Sequence, residues 1–503
     1  MATLKELRNE RIRKLDELFK LGIEPFPANS NRSNKLSDIV EDFSKLEGKD
    51  VDVAGRIKNI RKFGKIAFFV IEDQNAQIQL FLGADKVAEP DGKDKSQLSF
   101  SHIPLLDSGD FIEACGRVIK TKTGEISVEV SSYRILTKSL RALPTKQDGF
   151  SNKEERLRRR YVDMNVNNDV RERFIRRSKF WKATRDYLND NGFIEINTPV
   201  LEHTTGGADA KPFVTHMDAL DTEFFLRISQ ELPLKRLIGA GFEKVYDIGP
   251  RFRNENYSDE HLPEHVAMES YSAYQDYNEG INFYEGLMKY VAKETWGTLK
   301  FKVGEFDIDL EKEWPRVEYA QIMKDNFGVD VFNPQLDELK KILKDNKVEL
   351  DGPINLNRAL DSVWKIIRRR SAGPFWLIFE PVEISPLAKQ DPNNPKVSQR
   401  FHPIIGGTEM GNGYSELNNP LEQLKRFTEQ QDMRDKGDEE AQMLDIDFVE
   451  MLEYGMPPTC GWGYSERFFW SLEGVTAREG VPFPHLRRET DEVTKSVYPE
   501  LFK

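Results

Sequence analysis

At 503 residues the chain exceeds what one hydrophobic core organises, so two or more domains are expected, at about 150 residues each. With 31% charged and 38% apolar residues, 32 Phe, 15 Tyr and 7 Trp, it is neither a disordered nor a low-complexity polymer. Two cysteines exclude a disulfide framework and a four-cysteine zinc site, and a net charge of -12 means that any nucleic-acid partner needs a segregated basic face.

The chain opens without an apolar core of signal-peptide length, and no later run approaches about 18 uncharged apolar residues, which sets the expectation of a cytoplasmic protein with no membrane contact. Thr3 and Glu6 have capping-box spacing, and Leu4, Leu7, Leu15, Leu18 and Phe19 recur at near-helical intervals, predicting a helix that Gly22, Pro25 and Pro27 end. Arg8, Arg11, Arg13, Lys14 and Lys20 lie on its other faces, where they either follow a phosphate backbone or form a plain solvated surface. This helical arm is assigned to residues 1–45.

From Val51 to Leu136 the period changes to two. The runs VDVAGRI, KIAFFVIED, AQIQLFL, FIEACGRVI and EISVEVSSYRIL read as five short strands, and so as a small barrel of the oligonucleotide-binding type over 46–140. Phe63 and Phe68 stand among Arg56, Arg61, Lys62 and Lys65, the mixture of a base-stacking face, against the plainer reading that both rings are core. A polar linker is placed at 141–152. From 153 to 503, helical patterns near 170–190 and 279–297 alternate with strand-like runs at FWLIFE, EMGNGYSEL and GWG, with an amphipathic insertion near 333–370 built on Leu336, Leu339, Ile342 and Leu343. The fold class is therefore α+β, a five-stranded barrel followed by a larger domain with an antiparallel β-sheet flanked by helices.

Three stretches carry chemistry. Arg253 and Glu255 are two residues apart near a strand end, and the return strand carries Glu269 and Tyr271 on one face. A guanidinium there suits a phosphate or carboxylate, and carboxylates facing it suit an ammonium group or magnesium; the plain alternative is a surface hairpin of weak ion pairs. In GTEMGNGYSELNNP, alternation puts Thr408, Met410, Asn412, Tyr414 and Glu416 on one face and Glu409 and Gly413 on the other, so Glu409 is expected to point away from Glu416. A buried Glu416 would need a cation or a proton. In CGWGYSERFFW, glycines allow close approach of a flat ligand and Arg467 opens a helix beside it.

Together these stretches resemble the class II aminoacyl-tRNA synthetases. NGFIEINTPVL with Pro199 is similar to their motif 1, FRNEN with its loop to motif 2 and GWGYSERFF to motif 3. TTGGADAKPFVTH, EISPLAK and RFHPIIGGTEMGNGYSELNNP resemble the lysine-specific branch, so the similarity extends along nearly the whole chain. The resemblance implies a class II catalytic domain that takes ATP, L-lysine and Mg2+, a tRNA(Lys) partner, no DNA, and a homodimer. It implies that Arg253 touches the substrate carboxylate and the α-phosphate and Arg467 the γ-phosphate, these two being the catalytic pair. Glu255 would bind the adenine amino group, with His261, His265 and Glu409 also in the ATP site. Gly207 and Glu231 would bind the α-amino group with Glu269 close by, and Glu416 and Tyr271 the ε-ammonium, beside Asn412 and Tyr414. Glu231 and Glu416 would thus embrace opposite ends of a diamino acid. Glu409 and His402 fall at metal positions, and in the barrel Arg61, Phe68, Gln79 and Glu125 fall at positions that read the anticodon.

The chain departs from this pattern in three places. His265 replaces a phenylalanine that stacks on adenine, His402 replaces a metal-binding glutamate although imidazole is a poor magnesium ligand, and motif 3 is one residue shorter, with Tyr464 and Ser465 in its glycine-rich run. Two readings of different class follow: an ATP-dependent ligase joining lysine to tRNA, and a non-catalytic tRNA-binding or regulatory relative that kept the fold. The aspartate and asparagine enzymes share the layout, but their substrates carry no side-chain cation for Glu416. Relatives that lysylate a protein lack the barrel.

Overall fold

In the computed structural model, which describes residues 3–144, 150–255, 257–348, 356–438 and 440–502, the cap expected at Thr3 forms. Glu6 N donates to Thr3 Oγ1 at 3.2 Å and Thr3 N to Glu6 Oε2 at 2.7 Å, starting the helix Leu4–Lys20. Two of its basic residues are structural rather than free for phosphate. The Arg11 guanidinium donates to the carbonyls of Ser108, Ser139 and Arg141, and Lys14 Nζ lies 2.8 Å from Asp107 Oδ1.

Alternation shapes the barrel as expected. Strands Asp50–Phe63, Ile66–Glu72, Gln77–Gly83, Phe111–Lys120 and Ile126–Thr137 pair so that the third lies beside the second, the second beside the first, the first beside the fourth and the fourth beside the fifth. Parallel pairing of Gln79 with Ser127 closes the ring, and a two-residue strand, Gln97–Leu98, adds to the outside of the fifth. Inward-pointing Val53, Phe69, Leu80, Ile112, Val128 and Ile135 are fully buried, and such side chains each contribute about 1.5–3 kcal/mol over an exposed position.

The chain divides into two compact units, one of Met1–Arg156, Tyr161–Val166 and Leu486–Lys503 and one of Leu157–Arg160 and Asn167–His485. Leu486–Lys503 thus groups with the barrel unit, whereas the expected boundary placed it with the larger domain. The final segment folds with the barrel because its helix Glu492–Val497 brings Tyr498 under two cations, the guanidinium carbons of Arg8 and Arg141 standing 5.3 and 5.7 Å from the ring centroid.

In the larger unit the described residues build a nine-stranded sheet. Its strands lie in the spatial order Arg316–Glu318, Phe375–Ile378, Arg400–Ile405, Asn412–Ser415, Thr459–Ser465, Glu264–Ala273, Lys244–Phe252 and Ile194–Glu195, with Thr408–Glu409 as a branch on Arg400–Ile405. Pairing is antiparallel through the middle and parallel at both edges. Helices Asn168–Asp190 and Tyr277–Trp296 cover one face, their Phe180, Tyr284 and Met288 meeting Phe401, Trp462 and Tyr464 of the sheet. The expected insertion contains helices Leu336–Asp345 and Leu356–Arg369, which bury Leu339, Leu343, Val363 and Trp364 in a separate cluster. Residues 145–149 of the expected linker and 349–355 of the insertion lie outside the described residues. Among the described residues no helix is long and apolar enough to cross a membrane.

Candidate active site

The hairpin predicted around Arg253 forms from Lys244–Phe252 and Glu264–Ala273, in a register that sets Asp247 opposite Glu269 and Arg251 opposite His265. Arg253 stands one residue beyond the first strand, its N–H donating to Pro263 O at 2.8 Å. On the other side Glu264–Ala273 pairs with Thr459–Ser465, placing Gly461 opposite Tyr271 and Gly463 opposite Glu269. Gly461 is required there: a Cβ would lie 2.1 Å from Glu416 Oε1 and 2.3 Å from Tyr271 Cε1. The missing side chain makes room for a cavity of about 350 Å³ above these strands.

Three carboxyl groups form its floor. Glu269 Oε1 accepts from Ser229 Oγ at 2.8 Å and lies 3.2 Å from Arg251 Nη1, while Tyr271 OH donates to Glu269 Oε2 at 3.3 Å. Glu231, first residue of the helix Glu231–Gly239, accepts from Tyr414 OH and from Lys235 Nζ, the latter at 2.6 Å. Lys235 also pairs with Glu416. One ammonium thus reaches both Glu231 and Glu416, so their nearest oxygens lie within two hydrogen-bond lengths of each other on the same cavity. Burial pushes Glu269 above the usual carboxylate range and Glu416 well above it. Burial alone would lower the Lys235 ammonium, but Glu231 and Glu416 hold it above its ordinary value. Arg251 moves the other way, drawn down to about 10 by burial and by Arg253.

A correction concerns Glu409. Alternation was expected to turn it away from Glu416, yet both line the same cavity. Ile404 pairs with Glu409 while Phe401 pairs with Gly413, so three steps along one strand match four along the other. That extra residue is a bulge between Glu409 and Asn412, and a one-residue slip exchanges the faces of everything beyond it. Met410 goes into the core beneath, and Gly411 takes the tight spot over the Trp462 ring, where a Cβ would come within 2.5 Å of Cζ2.

Both ring nitrogens of His402 are engaged within the protein. Its Nε2 lies 3.2 Å from Glu380 Oε2 and its Nδ1 3.2 Å from Gly411 O, and Arg400 Nη1 joins the same Glu380 oxygen at 3.0 Å. Although burial opposes it, Arg400 and His402 hold the Glu380 carboxyl down to about 2. Glu409 Oε1 in turn accepts from Trp364 Nε1 at 2.8 Å and lies 3.2 Å from Arg368 Nη1. Among the described residues no three His, Cys, Asp or Glu side chains converge on one point. These donors do not fit a magnesium ion anchored by the protein, which demands oxygen ligands in octahedral array.

The description "tRNA synthetases class II (D, K and N)" matches residues 152–487, and "OB-fold nucleic acid binding domain" matches residues 51–136. The chain belongs to the class II tRNA synthetases. It is 41% identical over 489 residues to a protein of Thermotoga maritima named Lysine--tRNA ligase, covering 96% of both chains. Proteins of the same name from Fervidobacterium nodosum and Staphylococcus saprophyticus are 42% and 39% identical, over 97% and 95% of this chain and 95% and 98% of theirs.

For this synthetase the placement of the expected residues is uniform. Gly207, Glu231, Arg253, Glu255, His261, His265, Glu269, Tyr271, His402, Glu409, Asn412, Tyr414, Glu416 and Arg467 all line the one cavity. Gly207 holds φ at +83° against Glu231, where a Cβ would meet Glu231 Cβ at 2.6 Å. Arg467 begins the helix Arg467–Glu473, its N–H donating to Ser465 Oγ at 3.2 Å. His265 sits close to Arg251 and Arg253, and burial with those charges keeps its imidazole neutral, well below its ordinary value. Sequence reasoning missed Lys235, Arg251, Arg400 and Glu380. Lys235 alone carried a signal, its i,i+4 spacing from Glu231 on a helical pattern.

In the barrel, Arg61 pairs with Phe68 and Phe68 with Phe81, whose rings stand 5.4 Å apart. Phe68 and Gln79 are half-buried on the outer face, Gln79 Nε2 donating to Ser127 Oγ at 3.0 Å, and Phe63 is 61% exposed. Neither Phe63 nor Phe68 is core. Glu125 is exposed in the turn before Ile126–Thr137, and Phe81 is the aromatic neighbour that the pattern did not single out.

Proposed function

We propose that the chain is an ATP-dependent lysine--tRNA ligase, activating L-lysine as lysyl-adenylate with release of pyrophosphate and passing it to the 3′ end of tRNA(Lys). The observation that carries this reading is a buried floor of three carboxyl groups, Glu231, Glu269 and Glu416, in the same cavity as Arg253 and Arg467. Such a floor selects a cationic side chain and rejects neutral ones, because its own groups are left unpaired otherwise. The substrate carboxylate binds Arg253, its α-amino group Glu231 and Gly207 beside Glu269, and its ε-ammonium Glu416 and Tyr271. Asn412 and Tyr414 line the pocket, and Glu255, His261, His265 and Glu409 attend the nucleotide.

The chemistry needs no general base. A carboxylate is ionised at neutral pH, so one of its oxygens attacks the α-phosphorus as the bond to the β,γ-pyrophosphate breaks. Arg253 aligns the two reactants and Arg467 takes up charge on the γ-phosphate, both acting by position and electrostatics. A terminal ribose hydroxyl then attacks the adenylate carbonyl and AMP leaves.

The outer barrel face with Arg61, Phe68, Gln79 and Glu125 is the anticodon surface. Exposed Ile194, Leu201, Val214 and Leu220, within and following the motif 1 stretch, support a homodimer, and the free thiols of Cys115 and Cys460 suit a reducing cytoplasm. The test is pyrophosphate exchange with each amino acid, followed by charging of tRNA(Lys). Lysine alone should stimulate exchange, whereas the alternative, a non-catalytic tRNA-binding or regulatory relative, requires that no amino acid does.

A further inference from the structure

Lys235 takes none of the recognition roles above, yet it organises the floor that provides them. Its side chain is 0% exposed on the helix Glu231–Gly239, and its Nζ joins Glu231 and Glu416, elements far apart in the chain. The rings of Tyr414 and Phe448 flank it, with centroids 5.4 and 5.7 Å from Nζ. Arg251 is the other built-in cation, on Glu269. Three carboxyl groups thus share two fixed positive charges. Glu416 Oε1 is buried without a hydrogen-bond partner, at the place where Gly461 lacks a side chain. Glu416 Oε1 is therefore open to a guest, while Lys235 and Tyr414 both take Glu231 through its Oε1.

We propose that Lys235 is a specificity-determining residue: by occupying the facing oxygens of Glu231 and Glu416 it keeps a substrate ammonium from settling between them and sets the outer oxygen of Glu416 as the place where the side-chain ammonium is met. This rests on the lysine reading of the pocket. With Lys235 absent, two carboxyl groups face each other across two hydrogen-bond lengths, and a substrate ammonium settles between them rather than at the outer oxygen of Glu416. The substrate is then drawn deeper, and its carboxylate is withdrawn from Arg253. Loss of the counter-ion therefore changes where the substrate lies as well as how tightly it binds. A residue that merely filled space would have no such effect.

The experiment compares Lys235→Met, of similar volume and no charge, with Lys235→Arg, which keeps the charge, in the full-length protein. The readings are lysine-dependent pyrophosphate exchange and, separately, equilibrium binding of ATP. Lys235→Met should raise the KM for lysine about 100-fold, near the upper end of what leaving a buried polar group unsatisfied costs, with ATP affinity within about twofold of the wild type. Lys235→Arg should recover about tenfold of that loss, and methylammonium added to Lys235→Ala, whose truncation leaves room for it, should lower that variant's lysine KM while leaving the wild type unchanged. Equal loss in Lys235→Met and Lys235→Arg, without rescue of Lys235→Ala by methylammonium, overturns the proposal in favour of packing. So does an unchanged lysine KM in Lys235→Met. If Lys235→Met does not fold, Lys235→Gln takes its place, with the same KM rise expected and the same two results overturning the proposal. A wild-type protein that lysine fails to stimulate overturns the ligase reading itself, whereas a stimulated wild type with an indifferent Lys235→Met overturns only the role of Lys235.

Discussion

Gly461→Ala tests the floor with one methyl group. The new Cβ would stand 2.1 Å from Glu416 Oε1 and 2.3 and 2.6 Å from Tyr271 Cε1 and Cδ1, well inside contact distance. Neither neighbour can swing aside freely. Tyr271 is 3% exposed and pinned opposite Gly461 by strand pairing, and Glu416 is 1% exposed and tied to Lys235. Overpacking of this kind costs about 1–3 kcal/mol of stability. Displacing Glu416 from the ε-ammonium removes a hydrogen bond to a charged group, about 1.5–3 kcal/mol. At about 1.4 kcal/mol per decade the KM for lysine should rise roughly 10- to 150-fold. ATP affinity should hold, since Arg253 and Arg467 are not touched. Gly463→Ala is the internal comparison: its Cβ would stand 2.8 Å from Glu269 Cγ and 3.0 Å from Met268 O, against 2.1 Å at Gly461, so its effect should be smaller. Pyrophosphate exchange over a lysine series measures both. A Gly461→Ala protein with lysine KM within about twofold of the wild type, or one less impaired than Gly463→Ala, would refute the reasoning.

The remaining predictions concern charge and the barrel. Burial raises Glu416 and Glu269, so these groups take up protons as pH falls, and a substrate ammonium then meets neutral carboxyls; the KM for lysine should climb as the pH falls while that for ATP changes little, and a flat lysine profile would contradict the assignment. Glu380 is depressed from 4.5 to about 2, so its contribution is present above the unfolded value and is lost as pH falls through the folded one. Glu380→Gln should therefore cost on the order of 3 kcal/mol near pH 7, read from chemical unfolding, with the gap to the wild type narrowing in acid; equal stability at pH 7 would sink it. Phe68→Ala should weaken tRNA binding by about 1–3 kcal/mol in a filter assay and leave lysine-dependent exchange alone, and an effect on exchange instead would contradict the placement of the anticodon surface on the barrel.

Much of the architecture was legible because it is written at short range. A strand's faces alternate every two residues, so VDVAGRI and AQIQLFL disclose their buried sides without reference to any neighbour, and the Thr3 cap closes within one helical turn. The fourteen cavity residues were legible through motif resemblance, which preserves spacing along the chain but carries no register. Register is where the local reading broke. The bulge before Asn412 reverses the faces from there on and brings Glu409 and Glu416 into one cavity, a decision made by pairing with Arg400–Ile405 and by the Trp462 ring under Gly411. The same holds for charge. No property of Lys235, Glu380 or His402 as isolated letters says which carboxylate each will meet, because the partners lie on other elements and their protons are governed by the burial that those elements impose together. The sequence by itself determined the strands, the caps and the inventory of charged groups, all set by interactions within a few residues. Only the tertiary structure decided which charges neutralise one another and which oxygens stay open, since that depends on packing between segments hundreds of residues apart.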